Sequence, residues 1–235
     1  GFKAIDSLNL YVMKNELRCI IGPNGAGKTT MMDIITGKTR PDSGTAWLGQ
    51  NFNLLLHSED QIARAGVGRK FQKPTVFENL TVFENLELAM DSDKRVFATL
   101  FAQLTCLEDE SIEVVMEKIN LTALSEERAG SLSHGQKQWL EIAMLVGQDP
   151  DLLLVDEPVA GLTDEETDLT ADLLKSLAGD HTILVIDHDM EFIRRLDCPV
   201  SVLHQGHVLK EGSMSEIQKD PLVIEVYLGQ SEEEE

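Results

Sequence analysis

The sequence predicts an α/β fold, a largely parallel sheet built around a phosphate-binding loop and interrupted by a helical insertion. Three observations predict it. First, Gly22-Pro23-Asn24-Gly25-Ala26-Gly27-Lys28-Thr29 fits G-x-x-x-x-G-K-[ST] and lies between an apolar strand, Leu17-Arg18-Cys19-Ile20-Ile21, and a helix expected from Thr30 to Thr36 and closed by Gly37. Second, Leu152-Leu153-Leu154-Val155 and Ile183-Leu184-Val185-Ile186 are short apolar runs bounded by turns and charges, which suits parallel strands buried on both faces. Third, residues 74–130 read mostly as helix: Leu86, Ala89 and Met90 recur at i, i+3, i+4, and so do Ile112, Val115 and Met116.

Taken in order, residues 1–73 read as strands around the phosphate loop, with a turn cluster at Thr39-Arg40-Pro41-Asp42-Ser43-Gly44 and a short helix over Ile62 to Ala65. Thr75-Val76-Phe77-Glu78-Asn79-Leu80 is repeated at once by Thr81 to Leu86; two copies of six residues are too few for a repeat architecture, and the pair reads as a turn leading into a helix. Residues 131–229 return to alternating helix and strand. Ser133 with Gln136, and Thr163 with Glu166, are capping boxes that start helices. The expected organisation is one domain over 1–229, its core from 1–73 and 131–229, its helical insertion from 74–130, and an acidic tail at 230–235.

The 235 residues are 42% hydrophobic, enough for a substantial core, and no apolar run approaches the ~20 residues of a membrane-spanning helix. No signal peptide opens the chain, which starts at Gly1 without Met and is expected to be trimmed or partial. With 41 acidic and 20 basic residues the net charge is −21, which argues against nucleic acid or anionic lipid as partners. Cys19, Cys106 and Cys198 are far apart, form no C-x-x-C pair and suit a reducing cytosol; Cys19, inside an apolar strand, reads as a small core residue.

The phosphate loop carries a specific chemistry. Its glycines let backbone N–H groups curl around a β-phosphate, and the helix that starts near Thr30 adds positive potential. Lys28 is expected to reach the β- and γ-phosphates and the Thr29 hydroxyl to ligate Mg²⁺. Downstream, Leu152 to Val155 end in Asp156-Glu157: Asp156 is placed to hold Mg²⁺ and Glu157 to polarise an attacking water as general base. Alone, such a strand end is common; downstream of a phosphate loop it gains meaning. Ser133 and Gly135 stand at a helix start, which is a helix cap at least and an anion site at most. Alone, Gln72 is a solvated loop residue and His188, in Asp187-His188-Asp189, a surface histidine.

Leu132-Ser133-His134-Gly135-Gln136 resembles the LSGGQ signature of the ATP-binding cassette (ABC) family, with His134 at the third position. The resemblance runs from Ile5 to Gly229, and phosphate loop, Gln72, signature, Asp156-Glu157, Asp164 and His188 follow in the family's order. It implies a P-loop NTPase core of ABC type with a mixed or parallel sheet, an antiparallel β part and a helical subdomain. It also implies an ATPase that works as a nucleotide sandwich, a homodimer or a heterodimer with a related subunit. Each ATP is then held by the Lys28 loop of one protomer and the Ser133, Gly135, Gln136 helix of the other. In the family Gln72 senses Mg²⁺ and the γ-phosphate and links to the transport subunit, Asp164 acts between subunits, and His188 contacts the γ-phosphate and positions the water. The aromatic residue on which the family stacks adenine would fall ahead of Gly1.

Ala65 to Gln72, Leu80 to Leu86 and Asp220 to Gly229 look like ATPases of branched-chain amino-acid and amide importers. Within that group Lys70 to Phe77, Leu132 to Glu141 and Asp156 to Asp164 resemble the urea importer ATPase. The expected setting is cytoplasmic, on the inner face of a bacterial plasma membrane through permease subunits. A branched-chain amino-acid importer is the nearest alternative. A soluble repair-type cassette fits less well, because the insertion has no sustained heptads. A GTPase fits less well still, because no guanine-reading N-K-x-D occurs.

Overall fold

The computed structural model describes residues 3–70, 75–90 and 106–228. Its main sheet has six strands: β1 (Leu17–Ile21), β4 (Val67–Lys70), β5 (Leu152–Asp156), β6 (Thr182–Ile186), β7 (Val200–His204) and β8 (His207–Gly212). Their order is β4-β5-β6-β1-β7-β8, parallel throughout except for the antiparallel β7–β8 hairpin. A separate antiparallel pair, β2 (Trp47–Leu48) with β3 (Phe52–Asn53), completes the β part. The mixed sheet and the antiparallel part are as expected.

Side chains of β1, β5 and β6 alternate between two apolar layers, as a strand's two-residue period requires. Cys19, Ile21, Leu153, Val155, Ile183 and Val185 face one layer; Ile20, Leu152, Leu154, Leu184 and Ile186 face the other. All five residues of β5 and of β6 are buried, and each such aliphatic side chain contributes about 1.5–3 kcal/mol. The second layer is covered by α1 (Lys28–Ile35) and α2 (Glu59–Arg64). The first is covered by α3 (Val82–Ala89), α4 (Cys106–Lys118), α5 (His134–Val146), α6 (Asp164–Leu177) and α7 (Met190–Leu196). Leu86, Ala89, Ile112 and Met116, picked out by their spacing, are buried here. The chain ends in α8 (Met214–Ile217) and α9 (Pro221–Leu228).

Some expectations shift. Helix α1 begins at Lys28 rather than Thr30, because left-handed Gly27 (φ 102°) ends the loop there. Helix α2 begins at Glu59 rather than Ile62, because Ser58 and Gln61 form a capping box three residues earlier. The doubled Thr-Val-Phe-Glu-Asn-Leu segment splits as expected: the first copy is turn and loop, and Thr81 of the second caps α3 through Glu84. Strand β4 sat inside a region read only as strands in general; it is the edge strand of the main sheet.

Candidate functional site

Strand β1 delivers the phosphate loop from the middle of the sheet. The β7–β8 hairpin braces it from behind. Its two-residue turn has positive φ at both Gln205 and Gly206, the geometry that favours a tight hairpin. Gly206 N–H donates to Ala26 O (3.0 Å), while Asp6 N–H donates to Gly206 O (2.9 Å). A Cβ on Gly206 would lie 2.6 Å from the Asp6 nitrogen, so this contact needs glycine. A Cβ on Gly27 would meet Ala4 O at 2.5 Å. Residues 4–6 thus press on the loop from one side, while Asn24, Gly25 and Thr29 face solvent on the other.

No side chain caps α1. The amides of its first turn, at Lys28, Thr29 and Thr30, are left for an anion. Lys28 is half-buried, and its Nζ donates to Gly22 O (2.6 Å) and Pro23 O (2.9 Å). Burial lowers its pKa, and the Glu157 and Asp156 carboxylates oppose that shift. Those two groups therefore share an electrostatic environment with the loop. Gly22 has a further partner that sequence reasoning missed. Burial pushes the phenol of Tyr227 on α9 up to about 12, and the Gly22 backbone beside it pulls the other way.

The carboxylates sit at the carboxyl end of β5. Asp156 is buried, and burial raises its pKa against the pull of Arg69. Arg69, on neighbouring β4, stands 3.6 Å from Asp156 Oδ2 and 2.6 Å from Asp33 Oδ1 on α1. One guanidinium thus ties the phosphate-loop helix to the strand end. Glu157 turns out of the strand with φ 46°, a left-handed conformation that costs a non-glycine residue roughly 1–3 kcal/mol. The backbone holds it there: Glu157 N–H donates to Ile186 O of β6 (2.8 Å).

Because β5 and β6 are adjacent, the residues that follow them meet. His188 Nδ1 lies 3.7 Å from Glu157 Oε1. His188 is well exposed and Glu157 partly so, leaving both open to a bound molecule. Asp187 beneath is buried, and burial raises its pKa; its Oδ1 accepts from His188 N–H (2.7 Å) and Asp189 N–H (2.9 Å), which shapes the turn presenting the imidazole.

Both anticipated capping boxes are present. Ser133 Oγ accepts from Gln136 N–H (3.2 Å) while Gln136 Oε1 accepts from Ser133 N–H (2.9 Å). Thr163 and Glu166 do the same at α6, whose first residue is Asp164, exposed at the helix start. What the spacing did not reveal is that the two helix starts touch. Glu166 Oε1 accepts from the Ser133 hydroxyl (3.2 Å). A Cβ on Gly135 would lie 2.6 Å from that same oxygen. Glu166 therefore braces the signature to the Asp164 segment, and its hydrogen bonds, led by the Thr163 N–H, lower its pKa. His134 Nε2 lies 2.9 Å from Gln138 Nε2, one turn further along the same helix. Deeper in α5, Trp139 Nε1 donates to Thr170 Oγ1 (2.9 Å), locking α5 to α6. Gln72 lies outside the described residues.

The family described as ABC transporter matches residues 5–160, and that described as branched-chain amino acid ATP-binding cassette transporter matches residues 211–233. The high-affinity branched-chain amino acid transport ATP-binding protein BraF of Pseudomonas aeruginosa is 36% identical over 98% of this chain and 94% of its own. Among solved structures, the ADP conformation of an ATP-binding cassette of an ABC transporter superposes with TM-score 0.79, 28% identity and coverage of 97% of this chain and 93% of the other. A dimeric post-hydrolysis cassette bound to ADP and Pi gives TM-score 0.73 at 25% identity, covering 91% of each chain. A phosphate loop whose lysine shares its surroundings with a strand-end carboxylate pair, within a fold matched along nearly its whole length, places the chain in the ABC transporter family, as an ATPase cassette of the branched-chain amino-acid importer type.

Proposed function

We propose that the chain hydrolyses ATP to drive solute import through separate permease subunits at the inner face of a bacterial plasma membrane. The observation that carries this reading is the Glu157–His188 pair, held by adjacent strands beside the loop that bears Lys28. Glu157 takes the proton of the attacking water as its oxygen bonds to the γ-phosphorus and the bond to the β,γ-bridging oxygen breaks, releasing ADP and phosphate. His188 orients that water. Lys28 and the loop amides from Gly22 to Thr30 neutralise charge on the phosphates. Ser133, Gly135 and Gln136 of a second cassette, with its Asp164, complete each site, so turnover requires a dimer with itself or with a related subunit. Residues 1–229 act as one domain, with 74–130 as the helical insertion.

The donor set fits Mg²⁺. Among the described residues no group of three or more His, Cys, Asp or Glu side chains forms a metal cage. Mg²⁺ needs none, since it takes one or two carboxylates and fills its shell with substrate phosphates and water. Asp156, the Thr29 hydroxyl and Gln72 would hold it, and when bound it supplies charge neutralisation at the β- and γ-phosphate oxygens. Among the described residues no helix is long and apolar enough to cross a membrane, which agrees with a permease built from other chains.

The relatives' names favour branched-chain amino acids as the solute. Urea is the second reading, supported by the likeness of Lys70 to Phe77, Leu132 to Glu141 and Asp156 to Asp164 to a urea importer ATPase. Uptake of labelled leucine and labelled urea by cells lacking this chain, restored by the wild type or by Glu157→Gln, tests both levels. Loss of one uptake, restored only by the wild type, identifies the solute. Restoration by Glu157→Gln would remove hydrolysis from the account.

A further inference from the structure

Two nucleophilic side chains lie together outside the nucleotide site. Cys19 stands in the middle of β1 and is fully buried; Cys198 sits two residues before β7, the parallel neighbour of β1, and is 9% exposed. Both are free thiols, and their sulfurs are 3.4 Å apart in a shared hydrogen bond. The Cys19 N–H donates to Pro199 O (2.9 Å), which fixes the two segments against each other at this point. Cys198 also lines an open surface cleft of about 470 Å³, with Glu16, Lys175, Asp197 and Pro199 around it. Cys198 therefore borders a solvent-open cleft with Cys19 directly behind it, an arrangement that neither packing nor the ATPase chemistry requires.

We propose that Cys19 and Cys198 form an oxidation site at which a hydroperoxide entering the surface cleft converts the thiol pair to an intramolecular disulfide. The Cys198 thiolate attacks one peroxide oxygen. The O–O bond breaks, giving Cys198 sulfenic acid and hydroxide (alkoxide from an organic hydroperoxide), which takes up the proton lost from Cys198. Cys19 sulfur then attacks Cys198 sulfur, and the sulfenic oxygen leaves as water with the Cys19 proton. The two thiols lose two hydrogens and two electrons in all, and the peroxide is reduced to water or to water and an alcohol. The sulfurs need to close from 3.4 Å to about 2.05 Å.

The order of attack follows from the surroundings. The hydrogen bond shared with Cys19, and more weakly Arg18, lower the Cys198 pKa against the effect of burial, which favours the attacking thiolate. The same hydrogen bond and burial push Cys19 well above its ordinary value, which suits a resolving thiol that reacts only with a neighbouring sulfenic acid. The cross-link would join β1 to the entry of β7 only three residues ahead of Gly22, where the phosphate loop starts.

The test treats the folded full chain with hydrogen peroxide, alkylates all remaining thiols in denaturant, and maps the peptides without reduction. The expected result is a Cys19–Cys198 linked peptide with Cys106 alkylated, reversed by a dithiol reductant. A second measurement uses Cys19→Ala with dimedone present, which should label Cys198 as the sulfenic acid. Full alkylation of Cys19 and Cys198 after peroxide would overturn the proposal. So would a link that forms only in denaturant, or one that joins Cys106 instead. The mapping uses the wild-type chain, so it decides even if the variant folds poorly.

Discussion

Replacing Lys70 by Met should destabilise the fold by about 3–5 kcal/mol, the loss expected when one partner of a buried ion pair is removed. Lys70 ends β4 with its side chain 0% exposed, and its Nζ lies 3.9 Å from Glu141 Oε2 on α5, itself 5% exposed. At that separation the attraction is about 4 kcal/mol for an effective dielectric near 20. Burial lowers the Lys70 pKa, with the Glu141, Asp156 and Asp187 carboxylates opposing it. Burial raises the Glu141 pKa, opposed by the Thr75 hydroxyl and by Lys70. Met keeps most of the lysine stem's packing but leaves Glu141 without this cation, so its pKa climbs further. A raised carboxyl pKa contributes stability that is present below the unfolded value and is lost as pH rises through the folded value. The deficit of Lys70→Met should therefore be smaller at pH 5 than at pH 8. Urea unfolding at both pH values measures it, with an unchanged m-value as the condition for comparison. Lys70→Met with Glu141→Leu should recover most of the loss, because Thr75 is exposed and can turn its N–H and hydroxyl to water. A single-variant loss below about 1 kcal/mol, typical of an exposed pair, would mean that Lys70 and Glu141 are not a strongly coupled buried pair. A double variant no more stable than Lys70→Met would mean that the uncompensated Glu141 carboxylate is not the source of the loss.

The brace between signature and Asp164 segment gives a second prediction. Gly135→Ala should push Glu166 off Ser133 and lower ATPase turnover, and Glu166→Ala, which deletes the same hydrogen bond, should lower it too; turnover of Gly135→Ala equal to wild type would remove the brace. Asp187→Asn should leave the fold near wild-type stability at pH 7, since its oxygen still accepts from the His188 and Asp189 amides and the burial cost of the charge disappears. Asp187→Ala should cost about 1–3 kcal/mol and depress turnover, both read from urea unfolding and phosphate release. Trp139→Phe should cost about 1 kcal/mol for the bond to Thr170, with ATP affinity unchanged in a titration.

How much of this was legible depends on distance along the chain. The phosphate loop is a contiguous run, so its eight residues and flanking strand could be read directly; so could β5 and β6, whose unbroken apolar residues mark strands buried on both faces. The capping boxes at Ser133 and Thr163 were equally local. β4 was hidden because Val67-Gly68-Arg69-Lys70 carries two cations where a buried strand is expected to be apolar. Those cations are tolerated because Asp33, Asp156 and Glu141, remote in sequence, meet them. The contact between Glu157 and His188 needed the β5–β6 adjacency, which no local pattern encodes. Glu166 was visible as a cap, yet its reach to Ser133 depends on how α5 and α6 pack. Tyr227 lay within a stretch noted only for its likeness to importer ATPases, and nothing in its spacing pointed back to Gly22.

The central claim is that two cassettes share each ATP. The most direct measurement is the solution mass of Glu157→Gln with and without MgATP, with nucleotide binding followed in the same samples. The mass should double on ATP addition, and Ser133→Arg, added to Glu157→Gln, should abolish the doubling while ATP still binds. A chain that binds ATP and stays monomeric, alone and with its permease and any related ATPase subunit, would contradict the claim.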